Sequence, residues 1–324
     1  MKAFVTGGTG FIGSHLVERL IEDNSVKEVR CLVRNQEKWL AGKNYTRVSA
    51  DLSKITVLKD SLEDVDTLFH LAAIVKAPTM KEFERANVEA TETIIRIARK
   101  SGVKKIIVLS SLAAAGPSYG KPLTEDAPMM PVSMYGKSKK MMEEMIHAVQ
   151  TPELSISILR PPAVYGPRED QIYTFFKLMN KRICPIVGDG NKPEISLVYV
   201  SDLIDGIILA ANQRKPGIKT YFISGPEINN WNQIKNICSK VLGKKPVPLY
   251  IKSGWVKRIA GIVESTASVF GSYPVLNRDK ANEMILEWTC TSQKAADELH
   301  YKPEISLEEG ISRTIHWYKK HHWL

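Results

Sequence analysis

Cysteine is scarce and scattered in this chain of 324 residues: Cys31, Cys184, Cys238 and Cys290 lie far apart, and no two form a C-x-x-C. That spacing argues against a disulfide framework or a thiolate metal knuckle, and it predicts reduced, buried thiols. The seven histidines show no metal-ligand spacing either. His321 and His322 are adjacent, which suits shared ligation on a helix poorly, so no metal site is expected. Long apolar runs are also missing. The best candidate, residues 106–120, is interrupted by Ser110, Ser111, Gly116 and Pro117. A membrane-spanning helix needs roughly 18–20 uninterrupted apolar residues. The N-terminus reads MKAFVTGGTG and enters a glycine turn at once, with no apolar stretch before a cleavage site. A secretory signal is therefore not expected, and a cytoplasmic location is. Internal repeats and low-complexity tracts are absent as well.

What remains is the composition of an ordinary globular protein, 44% apolar and 25% charged, with a net charge of +10. The basic residues are scattered and match no nucleic-acid module, so no nucleic-acid partner is expected. A cofactor bearing several phosphates is the more economical partner for a basic chain.

The first half alternates short β-rich runs with longer helical patterns. Strands are expected at Ala3–Val5, Val29–Val33, Thr46–Ala50, Thr67–Leu71, Lys105–Leu109 and Ile156–Leu159. Helices are expected at Ile12–Glu22, Phe83–Lys100 and Ser133–Val149. This rhythm predicts an α/β fold, a Rossmann-type doubly wound parallel sheet with helices on both faces. The strands are nearly continuous apolar runs, as expected when both faces are covered. After Pro161-Pro162 the rhythm loosens, and a smaller, mostly helical substrate domain is expected. Residues 1–165 with about 196–220, where Ser196–Ala211 reads as strand then helix, are assigned to the nucleotide-binding unit. Residues 166–195 and 221–324 are assigned to the substrate unit.

The first strand runs into Thr6-Gly7-Gly8-Thr9-Gly10-Phe11-Ile12-Gly13 and then a helix. Glycines at this spacing permit a tight turn and close backbone approach to a pyrophosphate, and the following helix points free N–H groups at it. Gly7, Gly10, Phe11, Ile12 and Gly13 are thus candidate cofactor contacts. At the tip of the second strand a dinucleotide site that prefers NAD carries an acidic residue. Here the strand ends Cys31-Leu32-Val33-Arg34-Asn35. Arg34 is placed to pair with a 2′-phosphate, so NADP(H) is preferred and NAD(H) second. Asp51 and Leu52, after the third strand, are candidates for the adenine; Asp51 reads equally well as a cap on a helix at Ser53–Ser61.

Tyr135 and Lys139 are four residues apart at the start of a helix and share a face. A free phenol, with a pKa of about 10, exchanges protons poorly at neutral pH. A nearby ammonium lowers that value, so the pair is expected to exchange a proton with a substrate alcohol or ketone. Ser110-Ser111 closes the preceding strand at the sheet edge where open α/β folds bind ligands, placing a hydroxyl to polarise the reacting oxygen.

TGGTGFIG at 6–13, HLAA at 70–73, LSS at 109–111, YGKSK at 135–139 and RPPAVYGPRE at 160–169 resemble the extended short-chain dehydrogenase/reductase superfamily. VYVSDLIDGI at 198–207 and LEEGI at 307–311 carry the resemblance over nearly the whole chain. It implies a catalytic triad of Ser111, Tyr135 and Lys139. It also implies cofactor contacts from the glycine turn, Arg34, Asp51, Leu71, Ala72 and Ala73, Tyr135 and Lys139 themselves, and the backbone near Pro161 and Val164. Asn87 matches a frequent family asparagine, with a structural hydrogen-bonding role standing beside a cofactor role. Relatives pair through two helices, which makes Phe83–Lys100 and Ser133–Val149 the candidate homodimer face.

Two branches of the superfamily compete. Ala163, Ile195, Arg34 and the string RPPAVYGPRE resemble the steroid- and flavonoid-reducing branch, which implies a small apolar ketone or alcohol as substrate. Leu112 after Ser111 departs from the acidic residue of 4,6-dehydratases. Arg168, as a phosphate contact, keeps a nucleotide-sugar epimerase or dehydratase in play. A dinucleotide-binding sensor without turnover is a third reading, weakened by the presence of both Tyr135 and Lys139. The stretch Trp255–Phe270 has apolar residues at helical spacing, read as a packing helix in preference to an apolar lid or membrane contact. The tail Trp317–Leu324 is expected to fray.

Overall fold

The computed structural model describes residues 1–324 apart from 150, 152, 214, 253, 257, 259, 262 and 264–277. The chain opens with β1 (Lys2–Thr6), α1 (Phe11–Glu22), β2 (Glu28–Val33), β3 (Thr46–Ser49), α2 (Ile55–Ser61) and β4 (Thr67–His70). It continues through α3 (Met80–Phe83), a π-helical segment at Glu84–Glu89 and α4 (Ala90–Lys100). Then follow β5 (Lys105–Leu109), the short α5 (Leu112–Ala115), α6 (Met134–Val149), β6 (Ser155–Arg160) and β7 (Ala163–Tyr165). The later elements are α7 (Tyr173–Asn180), β8 (Ile183–Val187), β9 (Ile195–Tyr199), α8 (Val200–Ala211), β10 (Gly217–Phe222), β11 (Ile228–Asn229), α9 (Trp231–Leu242) and β12 (Val247–Ile251). Helices at Arg278–Met284, Gln293–Leu299 and Leu307–Lys320 complete the described chain.

Seven strands form one sheet in the order β10-β6-β5-β4-β1-β2-β3, every neighbouring pair parallel. This is the expected Rossmann arrangement. Alternating side chains of the strands feed two cores. Ala3 and Val5 join α1 and α8 on one face, while Phe4 joins α2, α4 and α6 on the other. Both faces are dry, which explains why the strands are unbroken apolar runs. The chain leaves β1 toward β2 on one side and β4 on the other. The crevice at that reversal is where such sheets take ligands.

Two smaller sheets, β11-β9-β7 and β12-β8, lie in the second half of the sequence. The tail does not fray. Trp323 stacks on Tyr318 with ring centroids 5.4 Å apart, and Trp317 meets Trp39 edge-on at 5.5 Å. Aromatic area buried in this way outweighs the entropy of a free terminus. Most of the stretch Trp255–Phe270 lies outside the described residues. All four cysteines are free and buried, and burial pushes the Cys31 thiol up to about 12.

Candidate active site

The glycine turn meets the loop after β4. Gly7 has a φ of +74°, and a Cβ there would stand 2.6 Å from the Ala72 nitrogen. The turn and the Leu71–Ala73 segment therefore form one narrow floor. Leu71 N–H donates to the Thr6 carbonyl at 3.1 Å, which fixes that floor to β1. Gly10 caps α1 with no side chain accepting from the helix, and the first turn carries no acidic residue. The free N–H groups around Phe11, Ile12 and Gly13 and the positive end of the dipole suit an anion. The cradle thus fits a pyrophosphate.

Arg34 is exposed at the tip of β2 and makes no ion pair or hydrogen bond among the described residues. Its charge helps hold the Asp51 carboxyl below the usual range, after the hydrogen bonds from Ser53. Asp51 Oδ1 accepts from Ser53 N at 2.8 Å, so this carboxylate turns the chain ahead of α2. The helix itself begins at Ile55. Leu52 packs against the α2/α4/α6 core.

Asn87 sits inside the π-helical segment, a distortion frequent at functional sites. Both N–H donors of its amide are used. Oδ1 accepts from Ile74 N at 2.9 Å, and Nδ2 donates to the Ile74 carbonyl and to Ser138 Oγ, both at 3.0 Å. With both N–H donors committed, the contacts within the protein give Asn87 a positioning role. Asn87 ties the loop after β4 to α6, beside Lys139. His70, between Thr6 and Thr91 hydroxyls at 2.8 and 2.9 Å, is a neutral core residue; burial drives its pKa to about 3.

The proton-transfer residues converge at the carboxyl edge of β5. Ser111 caps α5, its hydroxyl accepting from Ala113 N at 3.1 Å. Ser111 is near enough to the Tyr135 hydroxyl to draw its pKa down. Gly136 makes that approach possible: a Cβ there would stand 2.4 Å from the Ala113 carbonyl oxygen, so only glycine lets α6 approach α5 so closely. Lys139 is buried and its Nζ donates to the Leu109 carbonyl at 2.8 Å. Pro161 belongs to the same wall, its carbonyl accepting from Leu112 N at 2.8 Å. Val164, in β7, is half-buried beside it.

The expectation that Lys139 makes Tyr135 acidic is not met. Burial pushes the phenol up to about 12; Ser111 lowers it, and Glu283 raises it further. Desolvation outweighs the rest, and the Lys139 ammonium is engaged at Leu109. Tyr135 is therefore a protonated acid at neutral pH. Burial also pulls Lys139 down to about 8, with Glu143 acting in the other direction. Between pH 8 and 10.5 the unfolded chain holds a lysine proton that the folded chain has released, so stability from this group rises with pH across that window. The wild type should gain stability relative to Lys139→Met as pH climbs through that range in urea unfolding. A constant difference between the two proteins would contradict the buried-ammonium reading.

Three groups emerged only from the fold. Glu143 pairs with Arg160 through Nη2–Oε2 at 2.6 Å and Nε–Oε1 at 3.1 Å, and Ser110 donates to the same carboxylate. Glu143 lies four residues past Lys139, so helix spacing could have flagged it. From the far end of the chain, Asp279 Oδ2 accepts from Met134 N at 2.9 Å. Glu283 Oε1 accepts from Ser133 Oγ at 2.6 Å, while Ser133 Oγ accepts from Gly136 N at 3.1 Å. The helix Arg278–Met284 thus caps the helix that carries Tyr135. No local sequence signal links residues about 145 apart. Asp279→Ala should cost about 1 kcal/mol in urea unfolding, as loss of an N-terminal cap does. An unchanged midpoint would mean that this contact does not hold α6.

Arg168 is paired. Its guanidinium contacts Glu18 at 2.8 Å and Ser14 Oγ at 3.0 Å and lies 5.4 Å over the Trp39 ring. Glu18 also pairs with Lys43 at 2.9 Å, and the Arg168 Nε is buried without a hydrogen-bond partner among the described residues.

A model of the NAD dependent epimerase/dehydratase family matches residues 3–224. The chain belongs to this family. It is an enzyme of the extended short-chain dehydrogenase/reductase type. Over 99% of the chain and 95% of the relative it is 26% identical to the ceramide reductase of Caulobacter vibrioides (strain NA1000 / CB15N). It is 30% identical to a putative UDP-glucose 4-epimerase of Methanocaldococcus jannaschii (strain ATCC 43067 / DSM 2661 / JAL-1 / JCM 10045 / NBRC 100440), over 97% of both chains. A solved dTDP-glucose 4,6-dehydratase from Streptomyces venezuelae, with NAD bound, superposes with a TM-score of 0.81 at 25% identity, covering 100% of this chain and 98% of that one. Among the described residues no helix is long and apolar enough to cross a membrane.

Proposed function

We propose that this enzyme interconverts a ketone and a secondary alcohol on an apolar skeleton, with NADP(H) preferred over NAD(H). The observation that carries the reading is the convergence of Ser111, Tyr135 and Lys139 at the carboxyl edge of β5, with Ser111 capping α5 and Lys139, one turn past Tyr135 on α6, donating to the Leu109 carbonyl at 2.8 Å. The N-terminus of α1 and the turn from Gly7 to Gly13 would hold a pyrophosphate. Arg34 would hold the 2′-phosphate, Asp51 and Leu52 would flank the adenine, and Lys139 would bind ribose hydroxyls. When bound, the nicotinamide supplies or accepts hydride. Ser111 and Tyr135 orient the substrate oxygen by hydrogen bonds, and Tyr135, protonated at neutral pH, gives its proton to the oxygen of a ketone undergoing reduction.

The Glu18 pair engages one end of the Arg168 guanidinium, which makes it less available to a nucleotide diphosphate. A relative named for a lipid, ceramide reductase, supports the apolar branch. The competing reading, a nucleotide-sugar epimerase or dehydratase, draws its support from the putative UDP-glucose 4-epimerase and the NAD-bound dehydratase. Thermal shift separates them: nucleotide sugars should leave the unfolding temperature unchanged, whereas a panel of apolar ketones with NADPH should show turnover.

Arg34→Ala tests the cofactor. Loss of a charge-assisted pair should weaken NADPH binding about tenfold or more and leave NADH almost unaffected. Equal titration of NADPH and NADH by the wild type would end the preference for the 2′-phosphate.

A further inference from the structure

Among the described residues, the two-stranded sheet β8-β12 leaves one face bare. Its parallel register sets Ile183 beside Val247 and Pro185 beside Leu249, so these four side chains share a face. Ile183, Val247 and Leu249 are 39%, 63% and 50% exposed. On the opposite face Cys184 and Ile186 are buried in the main core. Just after β12, Val256 is buried and turns inward, while Trp255 stays 58% exposed with the Arg258 guanidinium 5.4 Å over its ring. Grouped exposed apolar side chains of this size mark an interaction surface.

The chain segments that carry this face hold charge of one sign as far as Asp189 and Glu264. Residues 228–263 carry seven Lys and Arg and no Asp or Glu, and residues 171–188 carry three and none. Arg182, Lys245 and Lys252 flank the strands, are exposed, and make no ion pair among the described residues. Apolar side chains with an aromatic at their end, set among cations without an ion-pair partner among the described residues, match the interface of a bilayer with anionic headgroups. A polyanion such as RNA would use the cations and leave the aliphatic face in water.

We propose that the β8-β12 face and Trp255 dock this enzyme on the surface of an anionic bilayer. The interaction is peripheral: aliphatic side chains enter the headgroup boundary and lysines meet the phosphates. It does not depend on the redox reading, because docking is measured without turnover.

Co-sedimentation of the full chain with vesicles tests it, using phosphatidylcholine alone or mixed with phosphatidylglycerol. Binding to the mixed vesicles should be at least about tenfold stronger and should weaken with salt. Lys245→Glu with Lys252→Glu should lose about tenfold or more. Val247→Ser with Leu249→Ser should lose a similar factor at unchanged charge, with an unaltered unfolding temperature because these side chains are exposed. The blue shift of tryptophan emission on adding mixed vesicles should shrink in Trp255→Phe. Equal affinity for both vesicle types, or no binding to either, overturns the proposal. So does a serine variant that binds like the wild type, which would reduce the surface to a charge patch open to any polyanion.

Discussion

Tyr135→Phe is expected to lower turnover about 10³-fold while dinucleotide affinity stays within a factor of about two, since the loss of a positioned acid costs roughly that much. The variant keeps the ring, which packs 6.3 Å from Phe83, so the helix should stay in place. Ser111 retains its contact with Ala113 N. The unfolding temperature should therefore move little. The loss should fall in kcat rather than KM, because the proton moves only in the transition state. A variant with more than about a tenth of wild-type turnover would remove Tyr135 from the proton transfer, and with it the assignment of the whole edge.

Glu143→Ala should be the most destabilising single change near the site, at about 3–5 kcal/mol in urea unfolding. Glu143 and Arg160 side chains are only 2% and 5% exposed. Removing the carboxylate leaves a guanidinium buried with no counter-charge, and its Nη1 already lacks a partner. The Ser110 hydroxyl loses its acceptor too, directly before Ser111. The double variant Glu143→Leu with Arg160→Met should cost less than Glu143→Ala, because no charge is then stranded. Strict additivity of the separate effects would show that the pair is not coupled and that the network does not hold the end of β5.

Glu143 illustrates where reading the sequence stops. Its partner is seventeen residues away and on another element, and nothing in a period of 3.6 or 2 identifies Arg160 as that partner. The same holds for Asp279 and Glu283, which hold the start of α6 from the far end of the chain. It holds for the bare face of β8-β12 as well, since Ile183 and Val247 become neighbours only through strand pairing. Asn87 was visible as a residue type, but its role depended on where Ile74 and Ser138 came to rest.

The sequence by itself determined the alternation of strands and helices, the glycine turn at the head of α1, the arginine at the tip of β2 and the Tyr-x-x-x-Lys stripe. Each is a local matter of period, turn chemistry or spacing along one element. Only the tertiary structure decided the protonation of that stripe. Desolvation depends on what surrounds a group in space, and at Tyr135 it exceeds what the adjacent residues contribute. The surroundings of Arg168 were set in the same way, by a glutamate 150 residues earlier that pairs with it in the fold.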